Sequence, residues 1–279
     1  MLEKLIAGRW IAGTTMNDGL RKAAELNRVG IRAILNNLGE DVKDLEAAAS
    51  AKGEYIELVR RIGSGRIKAD IALKLTDLGL VLDKEKCKKN YLEIVRYAAR
   101  HGIFIWIDME EHYLVERTIG IYKSALQYGN AGICLQAYLR RSISDMKAMR
   151  GSRAVIRLVK GAYSESADVA YRSRKEITDN YAKMMVYLFK NFVKFTIATH
   201  DQSLIDMALH LNDRYKRRVT YAMLNGVRNR YAERLSGSGE DVSIYVPFGR
   251  DWTGYALRRL HEASGIRTVF NSLLNLAQN

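Results

Sequence analysis

The amino-acid sequence predicts an α/β fold, a (β/α)8 TIM-type barrel, and three observations lead there. Short runs rich in β-branched residues alternate with longer amphipathic segments, eight times over. Polar residues gather at the carboxyl ends of those runs while their starts are blander, the polarity of a barrel enzyme's mouth. The chain has 279 residues, and such barrels fold as single units of about 250 residues. No composition break marks a linker, so residues 1–279 are expected to form one domain.

The residues ahead of the first strand are expected to form a short N-terminal helical segment. Strands are predicted at Val29–Leu35, Asp70–Leu75, Ile103–Ile107, Gly132–Gln136, Val155–Val159, Phe195–Ala198, Val219–Leu224 and Val242–Val246. Helical stretches between them include Glu54–Arg61, Lys84–Arg100, Val115–Tyr128, Arg174–Lys190 and Ser203–Tyr215. A last helix, Trp252–Ala263, with Asp251 as N-cap and Gly265 as its stop, is expected over the barrel mouth. A doubly wound open sheet is the alternative. It loses ground because Asn36-Asn37-Leu38-Gly39-Glu40, not GxGxxG, follows the first strand.

Composition narrows the class. With 48% apolar and 27% charged residues, the chain can bury a substantial core. No apolar run approaches the 18 or so residues of a membrane span. The start, Met1-Leu2-Glu3-Lys4-Leu5-Ile6, is too charged for a secretory signal. Cys87 and Cys134 lack any CxxC or Cys/His spacing and read as reduced structural thiols of a cytoplasmic protein. The net charge of +14 is spread along the chain, often at helical spacing with acids, as in Asp83-Lys84-Glu85-Lys86. It reads as a solvated surface, with an anionic membrane or cofactor as the alternative, and no nucleic-acid partner is expected. Pro247 is the only proline, where average usage would give about fourteen; nothing in the sequence explains this.

The most informative stretch is Arg157-Leu158-Val159-Lys160-Gly161-Ala162-Tyr163, an apolar strand ending in cations. Uncompensated charge there costs several kcal/mol, so something anionic or electron-rich is expected above it. Lys74 and Lys160 each read as a Schiff-base amine or a cationic clamp, and Lys74 equally as a snorkelling lysine. Asp108 follows the apolar run Ile103–Ile107 and needs a cation, which Arg157 or Lys74 could supply. Glu110 and Glu111 are expected to open the next helix. Gln136 ends an apolar strand, and a ring with alternating donors and acceptors would satisfy its amide. His200 with Asp108 and Asp201 could hold zinc, yet no HxH, HExxH or second nearby histidine supports it, and no metal is expected. Arg258 and Arg259 either straddle a small anion or leave Arg258 in a surface pair with Glu262.

Six of these segments, in order, resemble the FAD-dependent proline dehydrogenase family. They are Leu73-Lys74-Leu75-Thr76-Asp77-Leu78-Gly79-Leu80, Asp108-Met109-Glu110, Leu135-Gln136-Ala137-Tyr138, the Arg157–Tyr163 stretch, Ala198-Thr199-His200-Asp201, and Tyr245–Trp252 leading to Arg258-Arg259-Leu260. The resemblance implies a monofunctional flavoprotein that oxidises L-proline to pyrroline-5-carboxylate on a (β/α)8 barrel. It implies Lys74, Arg258 and Arg259 on the substrate carboxylate, Asp108 orienting the pocket partly through Tyr245, and Leu224 and Tyr163 against the substrate ring. Arg157 would lie near the reactive flavin nitrogen, with Gln136 and Lys160 at the ring edge. Met109, Val159, Gly161, Thr199 and His200 would complete the FAD site, and Arg174 and Lys175 would meet its diphosphate. A gating ion pair of Arg258 or Arg259 with Glu165 is a further expectation. Electrons would pass to a quinone, with peripheral contact at an anionic membrane. Asn225 departs from the pattern, since relatives tend to carry a bulkier residue there. Two rival readings are a Schiff-base lyase using Lys160 or Lys74, and a non-catalytic basic binding protein.

Overall fold

Eight parallel strands close into a barrel in sequence order in the computed structural model, which describes residues 10–39, 42–250, 252 and 255. The strands are β1 (Arg32–Asn37), β2 (Ala69–Leu73), β3 (Ile105–Ile107), β4 (Ala131–Gln136), β5 (Ile156–Val159), β6 (Lys194–Ala198), β7 (Arg218–Leu224) and β8 (Asp241–Phe248). The ring closes where β1 meets both β2 and β8, with Ile34 opposite Asp70 on one side and Tyr245 on the other. Helix α1 (Met16–Arg28) precedes β1, and helices α2 (Leu45–Ser64), α3 (Lys84–Arg100), α4 (Val115–Ala125), α5 (Ser142–Ala148), α6 (Arg174–Asn191), α7 (Gln202–Tyr215) and α8 (Asn229–Gly237) connect successive strands.

Local chemistry sets the helix starts. Thr15 and Asp18 form a reciprocal capping box at α1, and Ser173 and Glu176 form another at α6. Asp44, Asp83 and Asp201 cap α2, α3 and α7 through their carboxylates. Each long helix then turns one apolar stripe to the barrel; in α3 it is Cys87, Tyr91, Ile94, Val95 and Ala98.

The structure shifts several predicted boundaries. Val29 is the C-cap of α1, not a strand residue, and Gly30 turns the chain at φ +79° before β1 begins at Arg32. Lys74 and Leu75 lie just beyond β2. The helix expected at Glu54–Arg61 runs from Leu45 to Ser64. Glu110 does not open a helix: it is buried, and the next element begins as a 3-10 turn at His112–Leu114. Residues 253, 254 and 256–263 of the expected C-terminal helix, with its cap Asp251 and stop Gly265, lie outside the described residues.

Inside the barrel, Ile34, Ala72, Trp106, Val155 and Ala222 form a separate apolar cluster against which Tyr245 packs. Gly132 makes this possible. A Cβ there would sit 2.4 Å from the Trp106 ring, so only glycine lets the indole lie across the barrel. At the mouth, Ala12 N–H donates to Pro247 O (2.9 Å) and Gly249 N–H to Gly13 O (3.0 Å), laying the N-terminal segment along the end of β8. Trp10 and Ile11 pack there with Leu38 and Tyr255. No helix among the described residues is long and apolar enough to cross a membrane.

Candidate active site

Because all strands run parallel, their carboxyl ends share one rim. β5 contributes Arg157, whose side chain turns inward and is buried, the residue being 3% exposed. A guanidinium so placed needs an anion, and β3 supplies it: Arg157 Nη2 donates to Asp108 Oδ1 just past the strand end. The other oxygen, Oδ2, accepts the phenol of Tyr245 from β8 at 2.6 Å. Arg157 Nε donates to Cys134 Sγ on β4 at 2.8 Å. Its carbon Cζ lies 5.2 Å from the Trp106 ring centroid and 5.4 Å from that of Tyr245, within cation–π range. Arg157 Nη1 is buried with no hydrogen-bond acceptor among the described residues.

This network fixes protonation. Burial opposes the charge on Arg157, but the hydrogen bond to Cys134 and the Asp108 carboxylate help hold its pKa above the ordinary value. Burial and the neighbouring Asp108 push the Tyr245 phenol well above its usual range, so it stays a donor.

Around this centre the other candidates fall into two groups. In one, Gln136 is buried and donates to the Glu110 carbonyl at 2.8 Å, while Met109 is buried beside it in sequence. The Glu110 carboxyl accepts both the hydroxyl and the backbone N–H of Thr76, and burial pushes its pKa up to about 8 against the opposing effect of Thr76. Lys74, half-buried, favours the ionised form of Glu110 electrostatically. It makes no hydrogen bond or ion pair to Asp108, so of the two expected cations only Arg157 meets that carboxylate.

In the other group, Lys160 bonds Asp201 Oδ2 at 2.8 Å and Thr178 at 3.3 Å. Asp201 is held below its usual range because Lys160 and Ser203 outweigh partial burial. His200 Nε2 accepts the backbone N–H of Leu224 at 2.9 Å, joining the ends of β6 and β7, and Thr199 beside it is buried. Val159 and Tyr163 are partly buried on either side of Gly161. Gly161 has φ +112°, and a Cβ there would stand 2.0 Å from the Tyr138 ring, so glycine alone fits. Arg174 and Lys175 open α6, where Lys175 pairs with Asp179 at 2.8 Å.

Arg258 and Arg259 lie outside the described residues. Glu165, expected as their gating partner, accepts the His112 backbone N–H at 2.7 Å. The sequence reading missed three residues at this rim: Cys134, Trp106 and Thr76. The one available signal concerned Cys134, which the strand alternation Gly132, Cys134, Gln136 places on the same face as Gln136.

Comparison with known proteins gives the relatives. Residues 19–271 match the family model described as proline dehydrogenase. The chain is 32% identical over 279 residues to Proline dehydrogenase 2 of Bacillus subtilis (strain 168), covering 97% of this chain and 91% of that protein. It is 30% identical over 266 residues to the Proline dehydrogenase of Deinococcus radiodurans, covering 92% and 86%. The solved structure of proline utilization A from Bdellovibrio bacteriovorus, inactivated by N-propargylglycine, shares the fold at a TM-score of 0.84 with 21% identity. It covers 91% of this chain and 32% of that longer one. A family model that takes in most of the chain, together with relatives matched along most of their own length, makes this chain a member of the proline dehydrogenase family.

Proposed function

We propose that this protein binds FAD and L-proline at the described rim and oxidises proline to pyrroline-5-carboxylate, passing the electrons to a quinone. When bound, the flavin supplies the hydride acceptor. The chain's own residues bind, orient and exclude water. The observation that carries the reading is Arg157: a buried guanidinium with two N–H groups engaged and Nη1 without an acceptor. Such a donor suits a group that becomes more negative during reaction, as a flavin does on accepting hydride.

Gln136, Lys160, Met109, Val159, Gly161, Thr199 and His200 would line the flavin, with Lys160 held in place by Asp201. Arg174 and Lys175, at the first turn of an 18-residue helix, would meet the diphosphate, with the helix N-terminus adding its dipole. Lys74, Arg258 and Arg259 would take the substrate carboxylate. Asp108 would hold Tyr245 and Arg157 as the pocket's two walls, and Leu224 and Tyr163 would close it on the apolar side. All of this falls within residues 1–279 as one domain. The lyase and non-catalytic binding readings find no support among the relatives.

Val81 and Leu82, on the turn after β2, and Tyr113, in the 3-10 turn after β3, are all exposed and follow strand ends on the same side of the barrel. With the net charge of +14, they would suit transient contact with an anionic membrane where a quinone resides. Acid extraction of the purified protein followed by chromatography should release FAD. A reduced holoprotein should be reoxidised faster by a short-chain quinone analogue than by buffer alone. Release of FMN or no flavin, or indifference to quinone, would refute the corresponding part.

A further inference from the structure

We propose that Cys134 is a positioning residue for the proposed oxidation, its thiol completing the grip that aims the Arg157 guanidinium. Arginine and a carboxylate ordinarily pair through two parallel N–H···O bonds. Here only one such bond forms, since Arg157 reaches Asp108 Oδ1 alone, while Oδ2 accepts the Tyr245 phenol at 2.6 Å. Of the guanidinium nitrogens, Nη2 alone meets the carboxylate. The Trp106 and Tyr245 rings lie within cation–π range of the guanidinium, but a single hydrogen bond does not fix its rotation about Oδ1.

Cys134 supplies the second contact. It stands directly across the β4–β5 register from Arg157, on the strand face that Gly132 keeps open for Trp106. Its sulfur accepts from Arg157 Nε at 2.8 Å and lies 3.6 Å from Asp108 Oδ1. The result is a closed ring: Nε–H to sulfur, S–H to Oδ1, and Nη2–H to the same Oδ1. Burial pushes the thiol pKa up to about 12, with the Asp108 carboxylate adding to the rise and Arg157 opposing it. The sulfur therefore keeps its proton and serves Arg157 as acceptor and Asp108 as donor at once. Valine or alanine could do neither, while serine could do both. The grip leaves Nη1 as the one nitrogen of the guanidinium with no acceptor among the described residues.

This inference rests on the proposed role of Arg157, and the experiment separates the two. C134A, C134V, C134S and R157M would be prepared as holoenzymes. Flavin reduction would be followed by stopped flow at saturating L-proline, with the flavin midpoint potential and the melting temperature measured on each. In C134A and C134V the limiting reduction rate should fall about tenfold, the loss of roughly one well-held charged hydrogen bond. The midpoint potential should move negative in both, while KM for proline stays within about twofold of wild type, since no substrate contact is lost. C134S should restore both rate and potential. C134V guards against a folding artefact, because it fills the volume that alanine empties.

If C134A and C134V keep wild-type rate and potential while R157M is slow, Cys134 is packing only and the inference fails alone. Slow C134V that serine does not rescue overturns it as well. If R157M itself reduces flavin at the wild-type rate, the role of Arg157 falls and the inference goes with it.

Discussion

Replacing Asp108 by asparagine tests whether the buried ion pair is organised as described. Arg157 is 3% exposed, and the pairing carboxylate is Asp108. Removing one partner of a buried pair leaves an uncompensated charge and costs about 3–5 kcal/mol. For a domain of this size, each kcal/mol moves the midpoint by about 2–4 °C, so Asp108→Asn should lower Tm by about 6–20 °C. The double variant Asp108→Asn with Arg157→Met removes the orphaned charge. It should recover most of that loss, although it lacks both side chains proposed to serve the reaction. Thermal denaturation followed by circular dichroism, on single and double variants in the same buffer, gives both numbers. A fall of less than about 2 °C in the single variant, or a double variant no more stable than Asp108→Asn, would refute the reasoning.

Other expectations concern neighbouring contacts. Tyr245→Phe removes the phenol that donates to Asp108 Oδ2 at 2.6 Å; kcat/KM for proline should fall about 10- to 150-fold, the worth of a charged hydrogen bond, and an unchanged value would show that this bond does not shape the pocket. Arg258→Met or Arg259→Met should raise KM for proline by a similar factor with flavin still bound, and wild-type KM in both would place the carboxylate elsewhere. Glu110 is buried with its pKa raised to about 8, so the folded protein holds a proton that the unfolded chain loses near its ordinary value. Stability should then decline as pH rises from about 4.5 toward 8, because the folded state binds more protons than the unfolded one over that window. Glu110→Gln should flatten this decline, so its Tm relative to wild type should climb across the window; a constant difference would place Glu110 outside any such linkage.

Much of the fold was legible because the barrel repeats one pattern. Runs such as Gly132–Gln136 and Phe195–Ala198 carry an apolar strand signature, and the observed strands differ from them by a residue at the start. Lys84–Arg100 matches from end to end because Asp83 caps it and its apolar stripe is unbroken. Val29 misled because a β-branched residue continued an apolar run, while the capping at the end of α1 and the turn at Gly30 decided otherwise. Helix α5 is short, at 7 residues, and gave too few periods to recognise. At the rim, Asp108 beside Arg157 was anticipated, since a carboxylate after a buried strand demands a cation. Glu110 was misread because sequence alone favours an acid at a helix start. Its actual setting depends on Thr76, 34 residues earlier. The thiol of Cys134 was read as inert for the same reason: its two polar neighbours come from other strands.

Anaerobic titration of the purified holoprotein with L-proline tests most directly whether this barrel mouth transfers hydride from proline to a bound flavin. Proline should bleach the visible flavin band, the product should be a cyclic imine carboxylate two hydrogens lighter than proline, and Arg157→Met should slow the bleaching. A flavin band untouched by proline, or a borohydride-trapped substrate adduct on Lys74 or Lys160, would contradict that transfer.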